Sequence, residues 1–297
     1  MNLESTVALR FRQHLYRRSK VSVGRLTLEI IITVLLVLGA LSMLVPTLWV
    51  IGLSFGKTQE FFRLPPPLIP SSIQFDNYAE VFRRVPFVRF LVNSIIVTGL
   101  TTVGQLITCS MGAYAFSRLN FPFKNVLFVV FLSALMIPTQ VTIIPIFILM
   151  RSLRLVDTLG SLILPSIVSI FGLFLLRQFF ESVPRDLEDA AKIDGAGYFL
   201  IYWRIILPLA QPALAALAIL TFNTQWNNFF GPLIFISSPD NMTLPLGLTF
   251  LSGQNGATSS GIIMAGVTMA MLPVLIMFLI FQKQLIQGIS FTGVTGD

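Results

Sequence analysis

Charge is the scarcest property of this sequence. Asp, Glu, Lys and Arg make up 11% of its 297 residues while 55% are hydrophobic, where an ordinary soluble domain carries roughly 25% charged residues. Such a chain cannot cover a water-facing surface, so it reads as a membrane protein. Cysteine is nearly absent too. The single Cys109 lies inside an apolar run, which excludes an internal disulfide, a Cys-based metal site and a redox motif. The single histidine, His14, stands in a basic tail far from every candidate partner. Neither a His-rich metal site nor a Ser-His-Asp or Cys-His set is therefore available for catalysis.

Carboxylates are missing where ion coupling would place them. Of the 13 acidic residues only Glu29 touches an apolar run, at its end. Proton-coupled transporters commonly keep a carboxylate or a base within the membrane. Sodium can be held by carbonyls and hydroxyls alone, so proton coupling is excluded more firmly than sodium coupling. Nucleotide binding lacks its glycine: Gly56-Lys57-Thr58 looks like the end of a phosphate-binding loop, but Ile51 stands five residues before Gly56. The formal net charge of +7 does not argue for nucleic acid, because the basic residues flank apolar runs and act as orientation signals.

What the chain does have is apolar length. Runs long enough to cross a hydrocarbon core, about 20 residues each, occur near 28–55, 90–116, 126–150, 159–180, 205–230 and 262–281. The reading is an all-α polytopic membrane protein of six transmembrane helices, with an N-terminal tail at 1–27, a membrane domain at 28–281 and a C-terminal tail at 282–297. The first run follows Arg10, Arg12, Arg17, Arg18, Lys20 and Arg25 but is too long for a signal peptide. With the N-terminus inside, 13 of the 20 Lys and Arg residues fall on the inner side, which predicts both termini inside.

Three further features stand out. The outer segment after Gly56 carries Leu64-Pro-Pro-Pro-Leu-Ile-Pro70, a stiff strap, followed by a short helical pattern around Asn77 to Phe82. Pro138 and Pro145 lie within the third run and predict kinks. At the outer end of the fifth run stands Asn223-Thr-Gln225-Trp226-Asn227-Asn228. Its amides suit sugar hydroxyls and its indole suits the apolar face of a pyranose. An interfacial belt with its Trp at headgroup level explains the same residues. Asn93, Ser94 and Gln105 in the second run are further candidates for a polar path, and helix-to-helix hydrogen bonds account for them more simply.

Residues 184–213 form the longest charged stretch between apolar runs. Leu187 to Ile193 holds good helix formers, with Asp186 and Glu188 at the positive end of the helix dipole. Gly195 then breaks the helix and Tyr198 to Ile206 continues as a second amphipathic segment. The result is a helix-turn-helix shaped to plug a groove in another subunit.

Asp189-Ala190-Ala191, then Asp194-Gly195-Ala196 and Leu207-Pro208, resemble the cytoplasmic coupling loop of the membrane subunits of bacterial ABC importers, with Asp189 in place of the family's usual glutamate and Glu188 beside it. Met136-Ile-Pro138, Ile144-Pro145, Leu155-Val-Asp157-Thr158, Leu176-Arg-Gln-Phe179, Trp226-Asn227 and Gln287-Gly288 extend the resemblance to the carbohydrate-importer branch, of the maltose-transporter type.

That resemblance implies a bacterial inner-membrane permease that is not an enzyme. It implies four kinds of partner: a second permease subunit, a dimer of ATP-binding subunits carrying the ATP and Mg, an extracytoplasmic solute-binding protein and membrane lipid. No cofactor is expected on this chain. Glu188, Asp189, Ala190, Ala191, Asp194, Gly195 and Ala196 would couple to the ATPase, and Asn223, Gln225, Trp226, Asn227 and Asn93 would face the substrate path. The C-terminal tail resembles one that reaches toward the ATPase interface. Glycerol phosphate is an alternative cargo, and a facilitator independent of ATP is an alternative class. A membrane-embedded enzyme would need a polar catalytic set within the spans, and none is visible.

Overall fold

The structure is a computed structural model that describes residues 23–57, 67, 69–252 and 260–290. Residues 1–22 with His14, 58–66 and 68 in and before the proline strap, the segment 253–259 and residues 291–297 lie outside the described residues. Two units are distinguished, residues 1–52 and 53–297. Helix α1 (Val23–Ser54) fills the described part of the first. Its stretch Thr27–Ser54 has a mean hydropathy of 2.6, and 28 residues at about 1.5 Å each exceed the roughly 30 Å of a hydrocarbon core.

The second unit follows the expected order. It contains α2 (Asp76–Arg84), α3 (Phe87–Arg118), α4 (Lys124–Ser133), α5 (Thr139–Ser152), α6 (Gly160–Ile163), α7 (Ile170–Ser182), α8 (Asp186–Ile193), α9 (Tyr198–Ile201), α10 (Leu207–Leu209), α11 (Gln211–Trp226), α12 (Phe230–Phe235), α13 (Leu244–Gly247) and α14 (Ser260–Ser290). Among the described residues four helices are long and apolar enough to cross a bilayer, and six spans result if each of two bent pairs counts once. α14 runs on to Ser290, through the start of the expected C-terminal tail.

Prolines stand at both bends, Pro138 at the first and Pro208 and Pro212 on either side of the second. α4 with its 3₁₀ extension to Met136 and α5 meet at 104° across Ile137-Pro138, because Pro138 offers no amide to continue the ladder. Pro145, expected to kink the same run, sits inside α5 without interrupting it. The fifth run bends by 76° between Tyr198–Leu209 and Gln211–Trp226. Pro208 has no N–H for the Arg204 carbonyl, and the turn Tyr202–Ile206 widens to a π-helix in which the Leu207 amide reaches back to the Tyr202 carbonyl. What remains as a rod, α11, has 16 residues, about 24 Å.

Helix α3 is the centre of the second unit: α7 and α11 pack on it, α14 packs on α11 and α2 packs on α14. Around its Phe87 end lies an apolar cluster with Phe90, Val97, Trp226, Phe235, Leu244 and Leu251; around its Arg118 end lies another with Cys109, Tyr114, Leu176, Phe180, Ile206 and Leu217. Between the two, the span Gly160–Ser182 is broken at Ile167–Ser169, and a break inside lipid frees backbone carbonyls that must find partners. α3 supplies them from one face. Gln105 Nε2 donates to the Ser166 carbonyl at 2.7 Å, Thr108 Oγ1 to the Ile167 carbonyl at 2.5 Å and Cys109 Sγ to the Ser169 carbonyl at 3.3 Å. Ser169 Oγ caps the restarted helix by accepting from the Gly172 amide at 3.1 Å. Glycines on either side allow the approach: a Cβ on Gly104 would stand 2.8 Å from Ile167, and one on Gly112 would stand 2.9 Å from Leu173.

Gln105 also accepts from Thr221 Oγ1 at 2.7 Å, so one side chain joins three spans. Gln105→Leu leaves the Ser166 carbonyl and the Thr221 hydroxyl without this partner. It is expected to lower stability by about 1–2 kcal/mol, read as a fall in the thermal midpoint of the detergent-solubilised protein. An unchanged midpoint would show that the junction closes without Gln105.

Candidate functional site

The charged stretch 184–213 is fastened to the Arg118 end of α3. Arg118 Nε lies 2.6 Å from Glu188 Oε1, both side chains being about 5% exposed or less, and Arg118 Nη2 donates to the Val183 carbonyl at 2.6 Å. Tyr114 Oη donates to the Tyr198 carbonyl at 3.2 Å, and the Ser110 and Tyr202 hydroxyls lie 2.8 Å apart. Three successive inward positions of one helix thus hold α8, the start of α9 and the π-turn. Tyr114 and Tyr202 also pack ring to ring at 5.3 Å.

The turn after α8 is built from its own backbone. Gly195 has φ +83°; its amide bonds the Lys192 carbonyl at 3.0 Å and the Ala196 amide bonds the Ala191 carbonyl at 2.9 Å. This pair of bonds is the Schellman stop, whose first residue past the cap must be left-handed. It also assigns the alanines. Ala191 and Ala196 meet across the turn and pack toward the cluster at the Arg118 end of α3, whereas Ala190 is exposed.

The seven coupling candidates therefore divide. Glu188, Ala191 and Ala196 face the protein's own helices, while Asp189, Ala190, Asp194 and Gly195 face outward. Asp189 pairs with Lys192 across one turn at 2.9 Å. The hydrogen bond from Lys192 holds the Asp189 carboxyl below its ordinary range, and the same bond raises the Lys192 ammonium. An exposed pair of this kind is worth little and is easily exchanged. Sequence reasoning passed over the large apolar groups beside them: Ile193 is 87% exposed and Phe199 71%, with Leu187, Tyr198 and Trp203 also exposed. Their signal was present as bulky apolar residues in an otherwise charged segment.

The path candidates cluster at the other end of α3, where they play unequal parts. Asn93 is buried and donates to the Asp240 and Met242 carbonyls, both at 2.9 Å. Ser94 Oγ accepts from the Leu244 amide at 2.7 Å, and Arg89 donates to the Asp240 carbonyl at 2.9 Å and meets its carboxylate at 3.0 Å. Trp226 is 3% exposed, stacked on Phe222 with Nε1 donating to the Ala270 carbonyl at 3.1 Å, which fits packing better than either the sugar-stacking or the belt reading. Asn223 and Asn227 are exposed and bonded to each other, and Gln225 is half-buried. Asn227 and the edge of Trp226 line a cavity of about 550 Å³ with Thr249, Ser252, Met271 and Leu275.

Asp157, with φ +62°, fastens the same loop from the opposite side. Its carboxylate accepts from the Ser238 hydroxyl and from the Ser237 and Ser238 amides at 2.9 and 2.8 Å, and its carbonyl accepts from Asn241 at 2.6 Å.

The fold and these two polar ends define a multi-pass α-helical membrane protein with structured elements at both ends of a central helix. Residues 106–291 match the family described as binding-protein-dependent transport system inner membrane component, and the chain belongs to that family. Similar curated proteins include the arabinooligosaccharide transport permease AraQ of Halalkalibacterium halodurans, 37% identical over 84% of this chain and 91% of the relative. The trehalose transport permease SugB of Mycobacterium tuberculosis is 36% identical over 85% and 93%. The sn-glycerol-3-phosphate permease UgpE of Pectobacterium atrosepticum is 32% identical over 90% and 97%. Among solved structures, a bacterial ABC transporter involved in import of the acidic polysaccharide alginate superposes with a TM-score of 0.77 at 25% identity, covering 89% of this chain and 99% of that one.

The Asp157 clamp makes a pH prediction. The Ser238 hydroxyl and the two amides depress its carboxyl below the ordinary value of 3.8, so its contribution is complete above that value and is lost as pH falls through the depressed one. Protection of the 236–241 amides, measured against intrinsic exchange, is expected to hold above pH 3.8 and to be lost as pH falls below it, and in Asp157→Asn to be low at both. A loop equally protected in the variant would remove Asp157 from the clamp.

Proposed function

We propose that this chain is one of two membrane subunits of an ATP-driven, binding-protein-dependent importer of a sugar, oligosaccharide or glycosyl-polyol. The observation that carries the reading is the two-sided character of α8. Its inner face is fastened to α3 through Glu188, while its outer face presents Asp189, Ala190 and Ile193, continued past the helix by Asp194 and by Phe199 of α9. A rigid, bare, mixed apolar and acidic knob suits a cleft in a moving partner. ATP and Mg would be held by a dimer of separate subunits, and Asp189 would exchange Lys192 for a basic group there. With the basic bias of the sequence placing this end in the cytoplasm, both termini lie inside. Closure of the ATPase then opens the outer face, where a loaded binding protein docks, and Asn223, Gln225 and Asn227 line half of the path with the second permease.

The named relatives handle arabinooligosaccharides, trehalose and glycerol phosphate. Near the outer end of α3, Arg83 and Arg84 share Glu80 and Arg89 pairs with Asp240, exposed pairs that exchange readily, so glycerol phosphate stays the alternative cargo. A facilitator independent of ATP would have no use for an anchored knob.

Gly195→Val tests the coupling. No atom lies within 4 Å of an added Cβ, so the cost is the backbone's alone, about 1–2 kcal/mol for a left-handed residue. The variant is expected to insert at normal levels but to lose most ATP-driven uptake in vesicles carrying the complex purified through a tag on this chain. Normal uptake would overturn the assignment of the turn. A wild-type chain that purifies without an ATPase and moves solute without ATP would overturn the importer reading.

A further inference from the structure

Two of the contact sets described above, each of hydrogen bonds with an ion pair, fall at the two ends of a single helix. At one end Ser110, Tyr114 and Arg118 hold the π-turn, α9 and α8. At the other, Arg89, Asn93 and Ser94 hold the backbone of 240–244. Between them α3 runs unbroken for 32 residues, about 48 Å, which is longer than the hydrocarbon core. α7 and α11 also meet the charged stretch, but the first is broken from α6 at Ile167–Ser169 and the second bends by 76° at Ala210, within the stretch. A helix held by its own ladder transmits a push along its axis; a break or a bend absorbs it.

We propose that α3 is the strut of this permease: it ties the knob α8 mechanically to the outer loop 236–244, and Arg118 is the residue that positions the two. The inference rests on the importer reading and adds a route to it. Movement delivered to α8 enters α3 through the Glu188–Arg118 pair and leaves through Asn93 and Arg89, so the outer loop changes state with the nucleotide on the partner although nothing in that loop lies near it. Asp157 then sets the pivot, because it grips the same loop from the turn between α5 and α6.

The test uses the whole complex, captured through a tag on this chain and reconstituted in lipid vesicles, with a reporter cysteine at exposed Ser237. The native Cys109 is buried and does not compete for a maleimide. The wild-type labelling rate is expected to differ at least about fivefold between nucleotide-free and ATP-trapped complexes, the lower bound of ordinary coupling. In Glu188→Gln the difference is expected to fall below about twofold while the ATPase still co-purifies. A second variant, Arg89→Gln with Asn93→Ser, lies at the far end of the helix from the knob. It is expected to show the same loss with ATP hydrolysis retained, and it decides the matter alone if Glu188→Gln fails to assemble. A wild-type response in the assembled Glu188→Gln complex or in the far-end variant overturns the strut. So does a wild-type complex that hydrolyses ATP without any change at 237. Absence of an ATPase from the wild-type complex instead overturns the importer reading beneath it.

Discussion

Inside a bilayer no water is available to a backbone carbonyl, and the second unit is arranged around meeting that constraint where its helices break. α3 carries the means in a continuous register. Gln105, Thr108 and Cys109 bind the three carbonyls freed between α6 and α7, and Gln105 reaches α11 as well. Gly104 and Gly112 flank them and let the backbones come close enough. Remove that face and the broken span loses its reason to sit in lipid, and with it the base on which the charged stretch stands. The same helix therefore has to be straight, polar on one side and anchored at both ends. Among the described residues Asn93, Ser94, Gln105, Cys109 and Ser110 are buried on it and serve these requirements.

Much of the fold was legible because apolar length and charge are one-dimensional quantities. The run 28–55 became Val23–Ser54 and the run 90–116 became Phe87–Arg118. Gly195 was readable as a break between the helix before it and the amphipathic segment after it. Of the two reasons for a glycine there, positive φ or close backbone approach, the structure has the first, φ +83°. The bends were less legible. Pro138 and Pro145 look alike in the sequence, yet only the first breaks the helix, since a proline is tolerated where neighbours or a local adjustment take up the carbonyl it orphans. Pro208 was visible, but the shift to a π-turn that it produces depends on which amide then reaches the Tyr202 carbonyl, a matter of tertiary geometry.

The candidate site was half legible for a similar reason. A motif says which residues belong together but not which way each one faces. Glu188 and Asp189 are neighbours with the same chemistry, and the sequence left open which one would meet a partner. One hundred degrees of helix separates them: Glu188 points into the protein at Arg118, Asp189 points out at Lys192. The role of Arg118 is invisible in the sequence, because it depends on a residue 70 positions later. Asn93 and Trp226 were open between a polar path and a packing role, and the structure binds their polar atoms to the Asp240, Met242 and Ala270 carbonyls. That is the usual fate of a buried donor.

Why the knob should be held by an ion pair is a question of geometry rather than of stability. Two charges taken out of water cost several kcal/mol each, and a well-packed apolar pair of similar volume commonly does as well or better. An apolar contact, however, is non-directional and tolerates sliding. The guanidinium of Arg118 is a planar fork that engages the Glu188 carboxylate with one nitrogen and the Val183 carbonyl with another. It thereby fixes α8 against both the end of α7 and the end of α3, in one rotation and one register. If α8 is the element a partner moves, slippage at this joint would dissipate the motion before it reached the membrane. The desolvation cost of the pair then serves to make the joint stiff, at the one place along 184–213 where stiffness decides whether a push is passed on.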